Sequence, residues 1–203
     1  MGIKSKPEYR ELEFDGNATR HVLLAEGPGG DALLRVLDQA ARHGRDADAA
    51  CGPLDVLYLP SAEADLSARL RSHASGVDTV VAPDRRGLES ALRRVLTQAV
   101  MGTRLYVAGS EAFVWACVNV ARETGVDDDE VQRERCGTLA RPVQCVHCKA
   151  VDPAVTTNVY VCPGCGLHVF VRDHFSRRLG VYQSVCVDAE APGEVPAIEE
   201  VYP

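Results

Sequence analysis

Short unbroken apolar runs alternate with longer segments of helical period between residues 20 and 137. The runs are RHVLLA (20–25), DVLYLP (55–60), DTVVAP (78–83) and TRLYVAG (103–109). Each is bounded by Gly, Pro or Asp and has the length and continuity of a strand buried on both faces. The segments between them are DALLRVLDQAARHG (31–44), AEADLSARLRSHA (62–74), GLESALRRVLTQAV (87–100) and SEAFVWACVNVARETG (110–125). Leu33, Leu34, Leu37 and Ala41 share one face of the first, and Leu88, Leu92, Val95, Leu96 and Ala99 one face of the third. These spacings predict amphipathic helices. Asp31 reads as an N-cap or an early helix residue that complements the helix dipole, Ser110 as an N-cap, and Gly125 as a stop. The alternation predicts an α/β fold, a parallel sheet with flanking helices joined by right-handed crossovers. Ligands of such sheets bind beyond the carboxyl ends of the strands, here residues 26–30, 60–61, 83–84 and 109–110.

The helical period is lost near residue 137. VYVCPGCGLHVFVRDHF (159–175) is β-rich on both sides of a cysteine turn, and GVYQSVCV (180–187) reads as a further strand. The last residues, DAEAPGEVPAIEEVYP, are acidic and rich in proline, which predicts an extended or disordered tail. The organisation expected is an N-terminal arm (1–19), the α/β domain (20–137), a small β-rich module (138–188) and the tail (189–203).

That module carries the strongest chemical signal, four cysteines spaced C-x2-C-x13-C-x2-C. Cys145 and Cys148 lie in CVHCK, Cys162 and Cys165 in CPGCG. Two facing turns that each aim two thiolates at one point make a tetrahedral pocket for a metal, the arrangement of a four-cysteine zinc ribbon. Zn2+ leads, and a mononuclear iron of the rubredoxin type accepts the same ligands and would carry electrons. A metal here replaces a hydrophobic core too small to hold the module. Four sulfur ligands leave no open coordination position, so the site itself names no reaction. Cys51, Cys117, Cys136 and Cys186 lack such spacing and read as structural thiols. His147, His168 and His174 lie near the cysteines in sequence, and proximity alone assigns them nothing.

The loop AEGPGG (25–30) joins the first strand to the first helix. Gly27, Gly29 and Gly30, with Gly109 and Ser110 at the end of the fourth strand, are the candidate nucleotide-binding residues. The dinucleotide fingerprint is incomplete, because Ala32 stands where its last glycine belongs, and a tight ligand-free turn explains the loop as well. Asp84-Arg85-Arg86 reads as a capped helix start before it reads as a phosphate site. Asp127, Asp128, Asp129 and Glu130 read as a solvated helix N-terminus.

Composition limits the classes of function. The chain has 203 residues, 46% hydrophobic and only 5% aromatic, with a formal charge of −7. Residues 141–203 hold 5 Lys and Arg against 7 Asp and Glu, so the ribbon lacks the basic excess that nucleic acid requires. No apolar run has the length of a membrane span or the form of a secretory signal, and reduced cysteines at metal spacing suit a cytoplasmic location. No G-x-S-x-G or H-E-x-x-H motif is present.

LYVAGSEAFVWACVNVARETGVDDDEVQRERCG (105–137) resembles the last strand and helix of ferredoxin-reductase NAD(P)-binding domains, and residues 20–37 resemble their first strand, phosphate loop and helix. Two departures set the chain apart: Ala108 stands where many such reductases carry a cysteine near the nicotinamide, and only residues 1–19 stand where a flavin-binding barrel would precede the domain. The expectation is a domain that does not complete hydride transfer alone. The reductase-like domain followed by CVHC, CPGCG and HFSRRLGVYQSVCVDAEAPGEVP (174–196) resembles the small DmmA-type subunits of dimethylamine monooxygenase. That resemblance implies a multisubunit enzyme that demethylates dimethylamine to methylamine and formaldehyde with O2 and NADPH. Flavin, heme and 2Fe-2S centres would lie on the other subunits, and this chain would be an auxiliary, non-catalytic one. Two readings of other classes stand beside it, a zinc-ribbon adaptor for nucleic acid or a polymerase, and a rubredoxin-like electron carrier.

Overall fold

The computed structural model describes residues 5–46, 52–74 and 77–203. Two compact units emerge, Tyr9–Gly137 and a second built from Thr138–Pro203 with the described part of Met1–Glu8.

In the first unit, β1 (Arg20–Glu26), β2 (Leu54–Leu59), β3 (Asp78–Val81), β4 (Thr103–Gly109) and β5 (Val131–Arg135) form one sheet in the order β3-β2-β1-β4-β5. Every pairing in it is parallel. The helices are α1 (Gly30–Asp46), α2 (Ser67–His73), α3 (Arg85–Leu96) and α4 (Glu111–Glu123). Right-handed crossovers put α1 and α2 on one face and α3 and α4 on the other, since the strand order reverses between β1 and β4. Strand alternation divides the core accordingly. Leu23, Ala25, Val56, Tyr58, Tyr106 and Ala108 pack with Leu33, Val36 and Leu37 of α1 and Leu70 of α2. Val22, Leu24, Leu57, Leu105 and Val107 point the other way and are equally buried. The few aromatics are spent in this core: Trp115, Tyr58, Tyr106 and Phe113 are its largest fully buried side chains.

The predicted strands and helices are present with three differences. Residues 62–66 are not helical. The Ser61 hydroxyl accepts the Ala64 N–H (3.3 Å) and the Asp65 carboxylate accepts the Ser67 N–H (2.9 Å), so local side-chain bonds capture the turn and α2 starts late. The third helix begins at Arg85 with Asp84 as its cap, as the Asp84-Arg85-Arg86 reading has it, the carboxylate accepting the Gly87 N–H at 2.7 Å, but it ends at Leu96, short of Ala99 and Val100. Strand β5 is the unforeseen element: in VQRER only Val131 is apolar, and the acidic run before it forms a short 3-10 turn rather than a helix N-terminus.

The segment ahead of β1 is built into this unit. Leu12 is fully buried. The Arg10 N–H donates to the Arg133 carbonyl (3.1 Å), while Glu134 and Gln132 side chains accept the Leu12 and Glu13 N–H groups (2.7 and 2.9 Å). An otherwise open edge of the parallel sheet is covered this way.

The second unit is a five-stranded sheet of order β7-β6-β10-β9-β8. It comprises β6 (Arg141–Cys145), β7 (Val151–Val155), β8 (Val159–Val161), β9 (His168–Ser176) and β10 (Val181–Cys186). Two antiparallel hairpins, β6–β7 and β8–β9, are joined by β10, which pairs parallel to β6 and antiparallel to β9. The tail is extended and returns along residues 156–158: Glu200 bridges Thr157, and the Val201 and Tyr202 N–H groups donate to the Thr156 carbonyl (3.0 and 2.8 Å).

Candidate metal centre

Each hairpin of the second unit turns through one cysteine pair. Cys145 ends β6 and Cys148 lies in the turn to β7; Cys162 follows β8 and Cys165 lies in the turn to β9. The two turns have the same bonds. The Lys149 N–H donates to the Cys145 carbonyl (3.0 Å) and the Gly166 N–H to the Cys162 carbonyl (2.9 Å). The Cys145 N–H closes on the Ala150 carbonyl (3.0 Å) and the Cys162 N–H on the Leu167 carbonyl (2.9 Å). The four Sγ atoms lie within 4.8 Å of one another. Cys145 and Cys165 sulfurs are 3.9 Å apart, Cys148 and Cys162 sulfurs 3.5 Å. A tetrahedron of sulfurs at Zn–S bond length has edges of about 3.8 Å. The donor set therefore fits a tetrahedral thiolate metal ion.

Electrostatics of the four sulfurs point the same way. Burial resists ionisation of the Cys162 thiol, yet N–H groups of Cys165 and Gly164 donate to its sulfur and bring it down to about 7. The Leu167 N–H favours the Cys165 thiolate, but desolvation and the sulfurs of Cys162, Cys148 and Cys145 outweigh it and push that thiol up to about 12. Four adjacent sulfurs do not all ionise unaided; a bound dication lets them. Cys145 and Cys162 are buried and Cys148 and Cys165 exposed, so one side of the centre faces water. None of His147, His168 and His174 joins the cluster among the described residues.

Three residues that sequence reasoning passed over shape the turns. A Cβ on Gly164 would lie 2.6 Å from the Ala150 Cβ and 2.9 Å from the Cys148 sulfur, so only glycine lets the hairpins approach. Lys149 has φ 66° and Gly166 φ 73° at matching places. Aligning CVHCK on CPGCG in the sequence reveals that correspondence.

The other cysteines are apart from the centre. Cys117 is buried in α4, and burial pushes its thiol up. Cys136 is half-buried, raised to about 11 by desolvation and then by the Glu134 carboxylate. Cys186 donates to Asp188 (3.0 Å), which raises its thiol as well. Cys51 lies outside the described residues.

At the carboxyl end of the first sheet the structure gathers the candidate nucleotide residues. Gly27–Gly29 form a 3-10 turn and Gly30 opens α1. Gly29 abuts the Ala108 carbonyl, and Gly109 leads into Ser110, the N-cap of α4, whose hydroxyl accepts the Phe113 N–H at 3.3 Å. Between them stands Glu26. Its carboxylate accepts from the Ser110 hydroxyl (2.7 Å) and faces Arg85 (3.5 Å).

Both units match known family models. The description "Dimethylamine monooxygenase subunit DmmA-like" covers residues 1–131 as its N-terminal domain and residues 142–185 as its C-terminal domain. The chain belongs to the DmmA-like family.

A relative is 40% identical over 110 residues, the heme-dependent oxidative N-demethylase delta subunit of Ectopseudomonas mendocina (strain ymp). The match takes in 54% of this chain and 63% of that protein, less than two thirds of its length. Among solved structures, an intact type IV self-sufficient cytochrome P450 monooxygenase is similar at 18% identity and a TM-score of 0.48, over 83% of this chain and 21% of that one. The ferredoxin reductase in carbazole 1,9a-dioxygenase is similar at 15% identity and a TM-score of 0.47, over 62% and 40%. Both scores fall below 0.5, so the α/β assignment of this DmmA-like chain rests on its own strand order.

Proposed function

We propose that the chain is an auxiliary, non-catalytic subunit of an oxidative N-demethylase that converts dimethylamine to methylamine and formaldehyde with O2 and NADPH. The observation that carries this is the family match across both units, joined by the delta subunit of a heme-dependent oxidative N-demethylase as a relative. In this reading the heme-bearing and flavin/iron–sulfur subunits are the partners and hold the redox centres. The α/β unit docks on the reductase component, and the ribbon and tail hold the complex together. Cys145, Cys148, Cys162 and Cys165 would hold Zn2+, whose filled coordination makes it structural. The ribbon lacks the basic excess that would favour nucleic acid as a partner, since residues 141–203 hold 5 Lys and Arg against 7 Asp and Glu.

Capture of the tagged chain from cells grown on dimethylamine tests the assembly. Heme and flavin absorbance should elute with it, in fixed ratio over a salt wash. Elution without either chromophore contradicts the reading. Metal analysis of chain purified without added zinc tests the ribbon, with one zinc per chain and no visible absorbance expected; a coloured iron protein overturns the structural role.

A further inference from the structure

The sheet reverses its strand order between β1 and β4, and the crevice at such a reversal is where parallel α/β sheets hold a nucleotide pyrophosphate. An anion there needs free N–H groups, the space glycines leave, and positive potential from helix N-termini. The protein itself takes up part of each. The Gly30 N–H turns inward to the carbonyls of Gly27 and Pro28. The spaces beside the glycines are filled: a Cβ on Gly27 would meet the Ser61 hydroxyl at 2.3 Å, one on Gly29 the Ala108 carbonyl at 2.4 Å, and one on Gly30 the side chains of Leu66 and Tyr58 at 2.8 and 3.0 Å. The Tyr58 hydroxyl donates to the Gly27 carbonyl (2.9 Å) and accepts the Leu66 N–H (3.0 Å), which fastens the loop to β2 and the turn after it.

The positive potential is answered by Glu26. Its Cβ lies 3.1 Å from where a Cβ of Gly109 would be, its Oε2 accepts from the N-cap hydroxyl of α4, and its Oε1 faces Arg85. Arg85 itself lies over the Phe113 ring, 5.9 Å from its centroid. A carboxylate, a cap hydroxyl, a helix N-terminus and a guanidinium thus form a closed set in which the acid stands where a phosphate would. We propose that Glu26 is a built-in anion filling the phosphate position between β1 and β4, so that the α/β unit holds no dinucleotide of its own. The proposal concerns the chain by itself, so it stands or falls separately from the subunit assembly.

Calorimetric titration of the full chain tests it, with NADPH and inorganic pyrophosphate as probes. Wild type should give no saturable heat with either at ligand up to about 1 mM. Glu26→Ala frees Ser110, Arg85 and the α4 N-terminus, and should take up pyrophosphate at least about tenfold more tightly than wild type. Glu26→Gln removes the charge but keeps a bond to Ser110, and should gain less. Fluorescence of Trp115, the single tryptophan, reports that each variant is folded. Should Glu26→Ala not fold, Glu26→Gln carries the test, a gain supporting the proposal and none overturning it. Saturable NADPH binding by wild type overturns it, and so does a folded Glu26→Ala that ignores pyrophosphate.

Discussion

Lys149 and Gly166 occupy the same place in two copies of one turn, each in the left-handed region and each donating its N–H to a cysteine carbonyl four residues earlier. Glycine adopts that conformation freely, whereas a side chain there costs about 1 kcal/mol or more. Lys149 is the one non-glycine residue with positive φ among the described residues. Lys149→Gly should therefore stabilise the second unit by up to about 1 kcal/mol, and Gly166→Val should destabilise it by about 1–2 kcal/mol. Melting with a chromogenic chelator present, which reports metal release, reads both changes.

Removing one sulfur tests the dependence of that unit on its centre. Cys162 is buried with Cys145 and Val169 in a cluster of only a few side chains. Cys162→Ser should unfold the second unit and leave residues 9–137 folded, since the first unit has a core of its own. Limited proteolysis with mass spectrometry should yield a stable fragment ending near residue 137. Uniform loss of structure throughout the chain would contradict the two-unit division.

Arg141 ties the tail to the ribbon. Its guanidinium lies between the rings of Tyr182 and Tyr202, 4.2 and 3.9 Å from their centroids, and donates to Asp173 at 2.8 Å. A planar, delocalised cation lying over two aromatic rings is not replaced by an ammonium. Arg141→Lys should cost about 1–2 kcal/mol in the second unit, and Tyr202→Ala about 1 kcal/mol. Removing residues 195–203 from the Arg141→Lys variant should then cost less than removing them from wild type, because the two changes share one contact.

How much of this was legible in the sequence follows from what each element asks of it. Strands β1, β2 and β4 are buried on both faces and so read as apolar runs, while β5 shows only Val131 because its pairing and the Arg10 contact are backbone work. The four ligands were legible because a tetrahedral thiolate site fixes spacing. Gly164 was not, since its role depends on the neighbouring hairpin reaching its Cα. Glu26 was legible only as the first of residues 26–30 at the carboxyl end of a strand; its bond to Ser110 spans 84 positions and depends on β1 and β4 being neighbours.

His21 gives the first unit a pH dependence. It is 1% exposed in the middle of the sheet, with Nδ1 3.1 Å from the Tyr106 hydroxyl. That hydroxyl also accepts the Asp15 N–H at 3.0 Å. Desolvation lowers the pKa of His21; Asp15 opposes this, and His43 and Arg104 add to it. Phe14 stacks on the ring at 4.5 Å. The unfolded chain therefore binds the proton first, and stability fully present above pH 6.5 is lost as pH falls below it toward the depressed folded value. His21→Phe should flatten that part of the pH–stability curve, read through Trp115 in denaturant titrations. An unchanged slope would contradict the assignment.

The proposed role, service to an N-demethylase whose redox chemistry lies on its partners, is open to an omission experiment. Formaldehyde release from dimethylamine, driven by NADPH and O2, is measured in the co-expressed subunits with and without this chain. Turnover should depend on the chain, survive Lys149→Gly and fall with Cys162→Ser. Full turnover without the chain, or formaldehyde produced by the chain alone, would contradict it.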